Sequence, residues 1–139
     1  MSVYVDTSVL VAVIFEEFSS VETRNWLRRT SERIIVGDLE RLEFAAVVSR
    51  ALRARRLDER EALRALASFD EFPADSLSMG HGRGDFELAE WVIREFTTKL
   101  SAPDALHLAS AKNAGAALAT LDARLAEAAP AQRVEVELA

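Results

Sequence analysis

The stretch Val3-Tyr4-Val5-Asp6-Thr7-Ser8-Val9-Leu10 decides the fold of this chain. Its first three residues form the short apolar run that is typical of a buried parallel strand. A carboxylate and two hydroxyl groups follow at once, and ligands of α/β sheets bind just beyond the carboxyl ends of the strands. Asp6 is therefore a candidate site residue, although a turn or cap role explains it equally well. We expect Ser8 to cap a helix that runs from about Val9 to Phe15.

Length and composition place the chain among globular proteins. A length of 139 residues favours a single domain over residues 1–139, and half of the residues are hydrophobic, which is typical of a globular protein. No apolar run reaches the roughly 18 residues of a membrane span, and the N-terminus lacks the features of a signal peptide. We therefore expect no membrane partner. The absence of cysteine excludes disulfides and thiolate zinc sites and favours a cytoplasmic location.

Charge is distributed unevenly along the chain. Residues 24–64 carry eleven arginines against seven acids, so the remainder holds all of the net charge of −6 and four more negative charges. Such a basic segment can face a phosphate backbone, although solvated helix faces would explain the arginines as well. The candidates for such phosphate contacts are Arg50, Arg53, Arg55 and Arg56.

Strand and helix patterns alternate after the first helix, which predicts an α/β fold. We expect a three-layer α/β/α domain in which helices flank a central parallel sheet of four to five strands. Strands are expected at Ile34–Val36, Asp75–Met79, Ala116–Thr120 and Val134–Leu138. Helices are expected from Ser19 through Leu27, Asp38 to about Arg55, Asp58 to about Phe69, Asp85 through Phe96, Ser101 to about Asn113, and Asp122 to Ala128. Capping-box spacing supports the starts at Ser19 and Asp58. Leu88, Trp91, Val92 and Phe96 share one apolar face, and residues 80–84 are interpreted as a flexible, glycine-rich loop.

Four acids follow strands or begin helices in comparable places. Asp6 and Asp122 should both lie at the edge of the sheet where the strands have their carboxyl ends, which we call the carboxyl edge. Asp104 lies in the first turn of a helix, where a capping box with Ser101 would also explain it. Glu43 lies among apolar residues of its helix without a base three or four positions away, so it requires either a distant base such as Arg50 or a cation.

Four converging carboxylates would repel one another, and a divalent cation would remove that cost. Oxygen ligands favour Mg²⁺ or Mn²⁺ over zinc, and such a site can activate water and neutralise a phosphodiester. Thr7 and Ser8 add hydroxyl groups near the same edge. His107 is more simply interpreted as a hydrogen-bonded core histidine than as a ligand paired with Asp104, and nothing recommends His81 as a site residue.

Four segments together resemble PIN-domain ribonucleases, and among them the VapC-type toxins of bacterial toxin–antitoxin pairs. These segments are Asp6-Thr-Ser-Val-Leu-Val-Ala12, a glutamate in the helix after the second strand, Pro103-Asp-Ala-Leu-His-Leu-Ala109 and Leu118-Ala-Thr-Leu-Asp122. The resemblance implies a Mg²⁺- or Mn²⁺-dependent endoribonuclease that forms a homodimer and binds a small antitoxin.

The resemblance also implies roles for individual residues. Asp6, Glu43, Asp104 and Asp122 match the acidic, metal-binding positions, and Thr7 or Ser8 matches the hydroxyl after the first acid. Glu40 competes with Glu43 for the second position; Glu43 is preferred because Arg50 follows it and because Glu40 lies nearer the start of the helix. Asp122 matches the last of these positions through the pattern Thr120-Leu121-Asp122, and this position varies in the family.

Two other classes of function fit the sequence less well. An aspartate-phosphorylated domain would need a second aspartate where Ser8 stands, or a well-placed lysine late in the chain. An inactive PIN-like scaffold that binds RNA or a partner without cutting remains open, although all four acids are present.

Overall fold

The computed structural model describes residues 1–72 and 76–138, and these contain five strands with one or two of seven α-helices between successive strands. None of these helices is long and apolar enough to cross a membrane. The elements are β1 (Ser2–Val5), α1 (Thr7–Ile14), α2 (Ser20–Arg29), β2 (Arg33–Gly37), α3 (Asp38–Arg53), α4 (Glu59–Asp70), β3 (Leu77–Met79), α5 (Arg83–Arg94), α6 (Ala102–Asn113), β4 (Ala117–Ala119), α7 (Ala123–Ala128) and β5 (Val136–Glu137), with a 3-10 helix at Ala129–Gln132.

The strands form one parallel sheet in the order β3-β2-β1-β4-β5. The first strand lies at the centre, where Tyr4 is in register with Ile35 of β2 and Leu118 of β4. This arrangement confirms the predicted parallel sheet with flanking helices. The start predicted for the third strand, Asp75, lies outside the described residues.

Apolar side chains pack on both faces of the sheet. Val3 and Val5 point to one face, where they pack with Phe44 of α3 and Phe69 of α4. Tyr4 points to the other face, in a cluster that includes residues of α5, α6 and α7. Alternate residues of a strand face opposite sides, so the buried β1 run supplies both cores.

Helix starts differ from the sequence predictions in two places. Asp6, and not Ser8, is the N-cap of α1: its carboxylate accepts the backbone N–H of Val9. Ser19 makes no side-chain cap bond at α2, so the predicted capping box is wrong there. The capping box at α4 is confirmed, because Asp58 and Glu61 each accept the other's backbone N–H.

The α5 region corrects two further predictions. The helix begins at Arg83, so the loop before it is shorter than the predicted residues 80–84. Val92 is buried as predicted, but Trp91 is 55% exposed and Phe96 is 89% exposed. Phe96 lies beyond the helix end with a φ of 62°, which takes it off the helical face on which the pattern placed it.

Glycines occupy the N-cap positions of α3 and α5 with nearly the same backbone conformation. At Gly37 an added Cβ would lie 2.5 Å from Glu40 Oε2 and 2.7 Å from His81 Nε2. At Gly82 it would meet nothing within 4 Å. Glu40 and His81 can therefore lie this close to the backbone only because residue 37 is a glycine without a side chain.

This difference predicts unequal effects of alanine at the two glycines. Gly37→Ala should lower the free energy of unfolding by about 1–3 kcal/mol more than Gly82→Ala, since only Gly37→Ala crowds buried polar groups. Both variants lose the same N-cap preference, so Gly82→Ala is the control. Urea denaturation of the parent and both variants measures the difference. Equal losses would contradict the crowding at Gly37.

Candidate functional site

The carboxyl edge of the sheet collects the predicted acids because of how the helices run. Asp6 directly follows β1, and Asp122 follows β4 by three residues. The helix α3 leaves the carboxyl end of β2, so its first turns lie at this edge. The helix α6 leads into the amino end of β4, so its first turn, with Asp104, lies at this edge as well.

Asp6 is buried, with 4% of its surface exposed, and its carboxylate accepts several hydrogen bonds. The hydroxyl of Ser8 donates to Oδ1, which also accepts the N–H of Val9 at 3.3 Å. The hydroxyl of Thr120 donates to Oδ2. The aspartate is thus both a helix cap and the centre of a hydroxyl network.

Ser8 and Thr120 also join the ends of the neighbouring strands β1 and β4. Ser8 Oγ accepts the N–H of Leu121 at 3.0 Å, and Thr120 Oγ1 accepts the N–H of Asp122 at 3.0 Å. Each hydroxyl therefore donates to Asp6 and accepts a backbone N–H from the chain after β4. These bonds fix Asp6 relative to Asp122.

Burial raises the pKa of Asp6 above its ordinary value, although the hydrogen bonds from Ser8 and Thr120 oppose this effect. No lysine or arginine pairs with Asp6 among the residues that the structure describes. The ionised form of this carboxylate is consequently costly in the protein alone, and a cation would relieve that cost.

Glu40, and not Glu43, is the acid on the buried stripe of α3, together with Phe44 and Val48. Its side chain is fully buried. Glu40 Oε2 accepts the N–H of Gly37, while Oε1 accepts the hydroxyl of Tyr4. The prediction that Glu43 lies in a buried apolar stripe is therefore wrong in position by one helical turn.

His107 bridges the two glutamates of α3. Its Nδ1 lies 2.6 Å from Glu40 Oε1, and its Nε2 lies 2.6 Å from Glu43 Oε1. Burial opposes a charged ring, but the hydrogen bonds and the charges of Glu40 and Glu43 prevail and raise the pKa of His107 to about 10. Both ring nitrogens donate, which confirms the hydrogen-bonded core histidine and leaves no nitrogen to bind a metal.

Glu43 lies at the open end of this bridge, with 30% of its side chain exposed. Its Oε1 accepts the hydroxyl of Thr7 at 2.8 Å as well as His107 Nε2. Partial burial raises the pKa of Glu43, but the hydrogen bond and charge of His107 outweigh it and hold the pKa below its ordinary value. The base that Glu43 requires is therefore His107, with only a weaker contribution from the charge of Arg50.

Asp104 and Asp122 differ in how they are bound. The N–H of Asp104 donates to Ser101 Oγ at 3.3 Å, but its carboxylate accepts no hydrogen bond within residues 1–72 and 76–138. Asp122 caps α7: its Oδ1 accepts the N–H of Arg124 at 2.8 Å and that of Leu125 at 3.2 Å. Of these two carboxylates, only that of Asp122 is held by hydrogen bonds from the described residues.

The four predicted acids do not form a finished metal cage. Across the described parts of the chain, no group of three or more acidic or histidine side chains is spaced to hold a metal ion. Instead, the adjacent residues Thr7 and Ser8 of α1 bind Glu43 and Asp6, respectively, which brings these two acids together. The hydroxyl of Thr120 fixes Asp6 relative to Asp122. Asp104 lies one turn before His107 on α6.

The predicted RNA-contact arginines are exposed on and after α3. Arg50 lies two turns beyond Glu43, near enough for its charge to lower the pKa of that carboxylate. Arg53 lies a further turn along, and Arg55 and Arg56 follow the helix end. At 1.5 Å per residue, the last three lie roughly 15 Å or more along the chain from Glu43.

Sequence reasoning missed Tyr4 and Thr120, and it treated Glu40 only as a competitor of Glu43. Each is completely buried and bonded to an acid or to His107. The available signal was a polar side chain inside an apolar run, as with Tyr4 between Val3 and Val5. That signal does not name the partner, which is 36 residues away for Tyr4 and Glu40.

Residues 3–130 match the PIN domain family. The chain therefore belongs to this family. No curated protein matches the chain by sequence.

Solved structures of toxin–antitoxin proteins share this fold. VapC20 of Mycobacterium tuberculosis, a sarcin-ricin loop cleaving toxin, is 18% identical, with a TM-score of 0.74 over 91% of this chain and 95% of that chain. VapBC2 of Rickettsia felis, bound to promoter DNA, is 16% identical, with a TM-score of 0.72 over 99% and 98%. FitAcB of Neisseria gonorrhoeae is 15% identical, with a TM-score of 0.74 over 96% and 95%.

The raised pKa of His107 predicts a specific pH dependence of stability. A base whose pKa rises from about 6.5 to about 10 on folding stabilises the protein fully below pH 6.5, and this contribution is lost as the pH approaches 10. The parent should therefore exceed His107→Gln in unfolding free energy by a few kcal/mol near pH 6, and the difference should shrink toward pH 10. Urea denaturation in EDTA across this range measures it. A difference that is independent of pH would contradict a charged His107.

Proposed function

We propose that this protein is a Mg²⁺- or Mn²⁺-dependent endoribonuclease and the cytoplasmic toxin component of a type II toxin–antitoxin pair. The observation that carries the proposal is the buried carboxylate of Asp6, which lies at the carboxyl edge of a PIN fold without a basic partner among the described residues. Glu43 accepts a hydrogen bond from Thr7, the residue next to Asp6, and the carboxylate of Asp104 accepts no hydrogen bond from the described residues.

The acids of this site fit a hydrated Mg²⁺ or Mn²⁺ ion. Their donors are all oxygens, and Mg²⁺ typically takes only one or two carboxylates and keeps several waters. A ready-made group of three ligands is therefore not required. Asp6, Glu43 and Asp104 would hold the ion directly or through water, with Asp122 as a further acid beside Asp6. Thr7 orients the carboxylate of Glu43, and Ser8 orients that of Asp6.

The chain's own residues favour hydrolysis by water over attack by the ribose. When bound, the ion would activate water and neutralise charge on the phosphodiester. Attack by the 2′-hydroxyl would need a free general base; the acids of the site would be holding the ion, and both nitrogens of His107 are already hydrogen-bonded to carboxylates. His81 also lacks a free nitrogen, since it contacts Leu39 N and Ser110 Oγ. Cleavage should therefore leave a 5′-phosphate and a 3′-hydroxyl.

RNA as substrate is supported by two features. VapC20, which shares this fold, is a toxin that cleaves the sarcin-ricin loop. In this chain, Arg53, Arg55 and Arg56 are exposed and form no ion pair with any residue that the structure describes. Their distance from Glu43 suits contacts to RNA phosphates that flank the cleaved bond.

An apolar groove beside Asp104 supports an antitoxin partner. It encloses about 660 Å³ between α5 and α6, and its lining includes Leu39, Phe86, Ile93 and Leu106. The groove reaches Pro103, so a peptide bound in it would approach the acidic site. Several structures with this fold are toxin–antitoxin complexes, and we assign the groove to the antitoxin's C-terminal segment. We also propose a homodimer, which sedimentation can test.

An inactive scaffold is the second candidate, because the acids form no finished metal cage among the described residues. Cleavage of total RNA with Mg²⁺ separates the two. We expect the parent to cut and EDTA to abolish cutting. Asp104→Asn should reduce the rate at least 100-fold, on the order of the loss of one electrostatic contact in a transition state.

Glu59→Gln is the matched control, because Glu59 is an exposed acid in the first turn of α4. It should cleave RNA like the parent. Cleavage that persists in EDTA and yields a 2′,3′-cyclic phosphate would refute the metal mechanism, and a parent without activity in Mg²⁺ or Mn²⁺ would favour the scaffold.

Replacement of Asp6 tests the cation site without knowledge of the RNA. Burial raises the pKa of Asp6, so its ionised form costs stability at neutral pH, and this cost disappears below the ordinary value of 3.8. In EDTA, Asp6→Asn should melt above the parent at pH 7, with a smaller difference near pH 4. Mg²⁺ at ten times its dissociation constant should stabilise the parent by about 1.4 kcal/mol and the variant much less.

Asp58→Asn provides the control for that experiment, since Asp58 is the N-cap of α4 and makes an equivalent bond to a backbone N–H. Its response to Mg²⁺ should equal that of the parent. An Asp6→Asn protein that melts lower in EDTA and responds normally to Mg²⁺ would make Asp6 a structural cap only.

The arginine proposal predicts a change in salt dependence. Replacement of Arg53, Arg55 and Arg56 by glutamine should lower the slope of log K against log salt by about three, roughly one per lost phosphate contact. Arg28, Arg29 and Arg33 are also exposed, on α2 and β2, and their triple replacement is the control. Binding to an uncleaved RNA in EDTA measures both. Equal slopes in the two triple variants would show that the α3 arginines are ordinary surface.

A further inference from the structure

A chain of hydrogen-bonded side chains runs from the centre of the sheet to the acidic site. It starts at Tyr4 on β1, continues through Glu40 on α3 and His107 on α6, and ends at Glu43. The first three side chains are buried, and only the last is in contact with solvent. The chain thus connects an interior fixed by packing to a carboxylate that faces the outside.

The inner part of this chain fixes the imidazole ring. Glu40 accepts from Gly37 N, from the Tyr4 hydroxyl and from His107 Nδ1, so both of its oxygens are bound. The Tyr4 hydroxyl also lies 3.2 Å from His107 Nδ1. Because Glu40 is fixed at three points, the ring of His107 has one orientation.

The outer part of the chain treats the two oxygens of Glu43 differently. Oε1 accepts both His107 Nε2 at 2.6 Å and the Thr7 hydroxyl at 2.8 Å. Oε2 accepts no hydrogen bond from any residue in the described ranges 1–72 and 76–138. A carboxylate held by two donors at one oxygen keeps the other oxygen in a fixed place.

We propose that His107 is a positioning residue that, together with Thr7, holds Glu43 through Oε1 and keeps Oε2 available for a divalent cation. We call the hydrogen bonds of His107 and Thr7 to Glu43 Oε1 the clamp. The cation in this inference rests on the proposed function, whereas the clamp rests on the described contacts. Partners that orient a ligand commonly change metal affinity 10–100-fold when they are removed.

The competing explanation is that His107 only ties α3 to α6. The chain offers a matched control, because its other histidine ties the same two helices. His81 Nε2 accepts the N–H of Leu39 on α3 at 3.0 Å, and His81 Nδ1 lies 2.8 Å from Ser110 Oγ on α6. His81 does not contact Glu43, so its replacement weakens the helix contact and leaves the clamp intact.

Mn²⁺ binding, measured by electron paramagnetic resonance on RNA-free protein, distinguishes these explanations. We expect His107→Gln to weaken Mn²⁺ binding at least tenfold and His81→Gln to leave it unchanged. Thr7→Val, which removes the second donor without leaving a buried charge unpaired, should weaken binding several-fold and keeps the test valid if His107→Gln does not fold. Equal or tighter binding by both clamp variants would overturn the proposal, since loss of a nearby positive charge alone should favour the cation.

Histidine NMR of metal-free protein tests the clamp independently of the cation. With ¹⁵N-labelled histidine, His81→Gln assigns the signals, because the chain has only two histidines. Glu43→Gln should shift His107 Nε2 and leave Nδ1 nearly unchanged. An unchanged Nε2 signal would overturn the proposal, whatever the metal does. If Glu43→Gln shifts the Nε2 signal as expected but the parent does not bind Mn²⁺, the proposed metal site is refuted and the clamp on Glu43 is supported.

Discussion

The burial of charge between α3 and α6 constrains the rest of this structure. Glu40 and His107 form a pair with almost no solvent exposure, and a charged imidazole in that place depends on Glu40 inside the core as well as on Glu43 at its edge. The pair therefore fixes which face of α3 meets which face of α6 above Tyr4 of the central strand. A rotation of either helix would leave an uncompensated charge in the core. A buried pair of this kind contributes more to the choice of one arrangement than to stability in general, since an apolar replacement of the whole pair is often tolerated.

The topology turns this constraint into a site. With β1 between β2 and β4, the residues that follow β1 and β4 meet at one edge, and the hydroxyls of Ser8 and Thr120 join them. The helices α3 and α6 both have their first turns at the same edge, so the ion pair that packs them also sets where Glu43 and Asp104 lie. Candidate site and core are consequently not separate, because the buried side chain of His107 directly contacts Glu43, an acid of the candidate site.

Local sequence patterns predicted the parallel sheet, the apolar β1 run and the helices with clear capping signals, such as α4 after Asp58 and α6 after Ser101. They failed where a local rule competes with a contact across the fold. Ser8 fits an N-cap, but its hydroxyl is used by Asp6 and by the N–H of Leu121, 113 residues away. The partner of Glu43 was sought on its own helix, whereas His107 is 64 residues away. Periodicity reports which face is apolar; it carries no information about which distant polar group meets it.

Glu40 and Glu43 show why spacing alone could not distinguish a structural acid from a site acid. Both lie in the first two turns of α3, and both bind the same imidazole, one at each nitrogen. Glu40 is enclosed and has both oxygens bound, so no cation could reach it without unfolding the core. Glu43 is partly exposed and has one oxygen committed. Asp6 is nearly as buried as Glu40 and His107 but has hydroxyls in place of a base. The fold thus neutralises one buried acid internally and leaves another without a basic partner among the described residues, and this difference, not acidity as such, is the reason we propose a metal ion at the carboxyl edge.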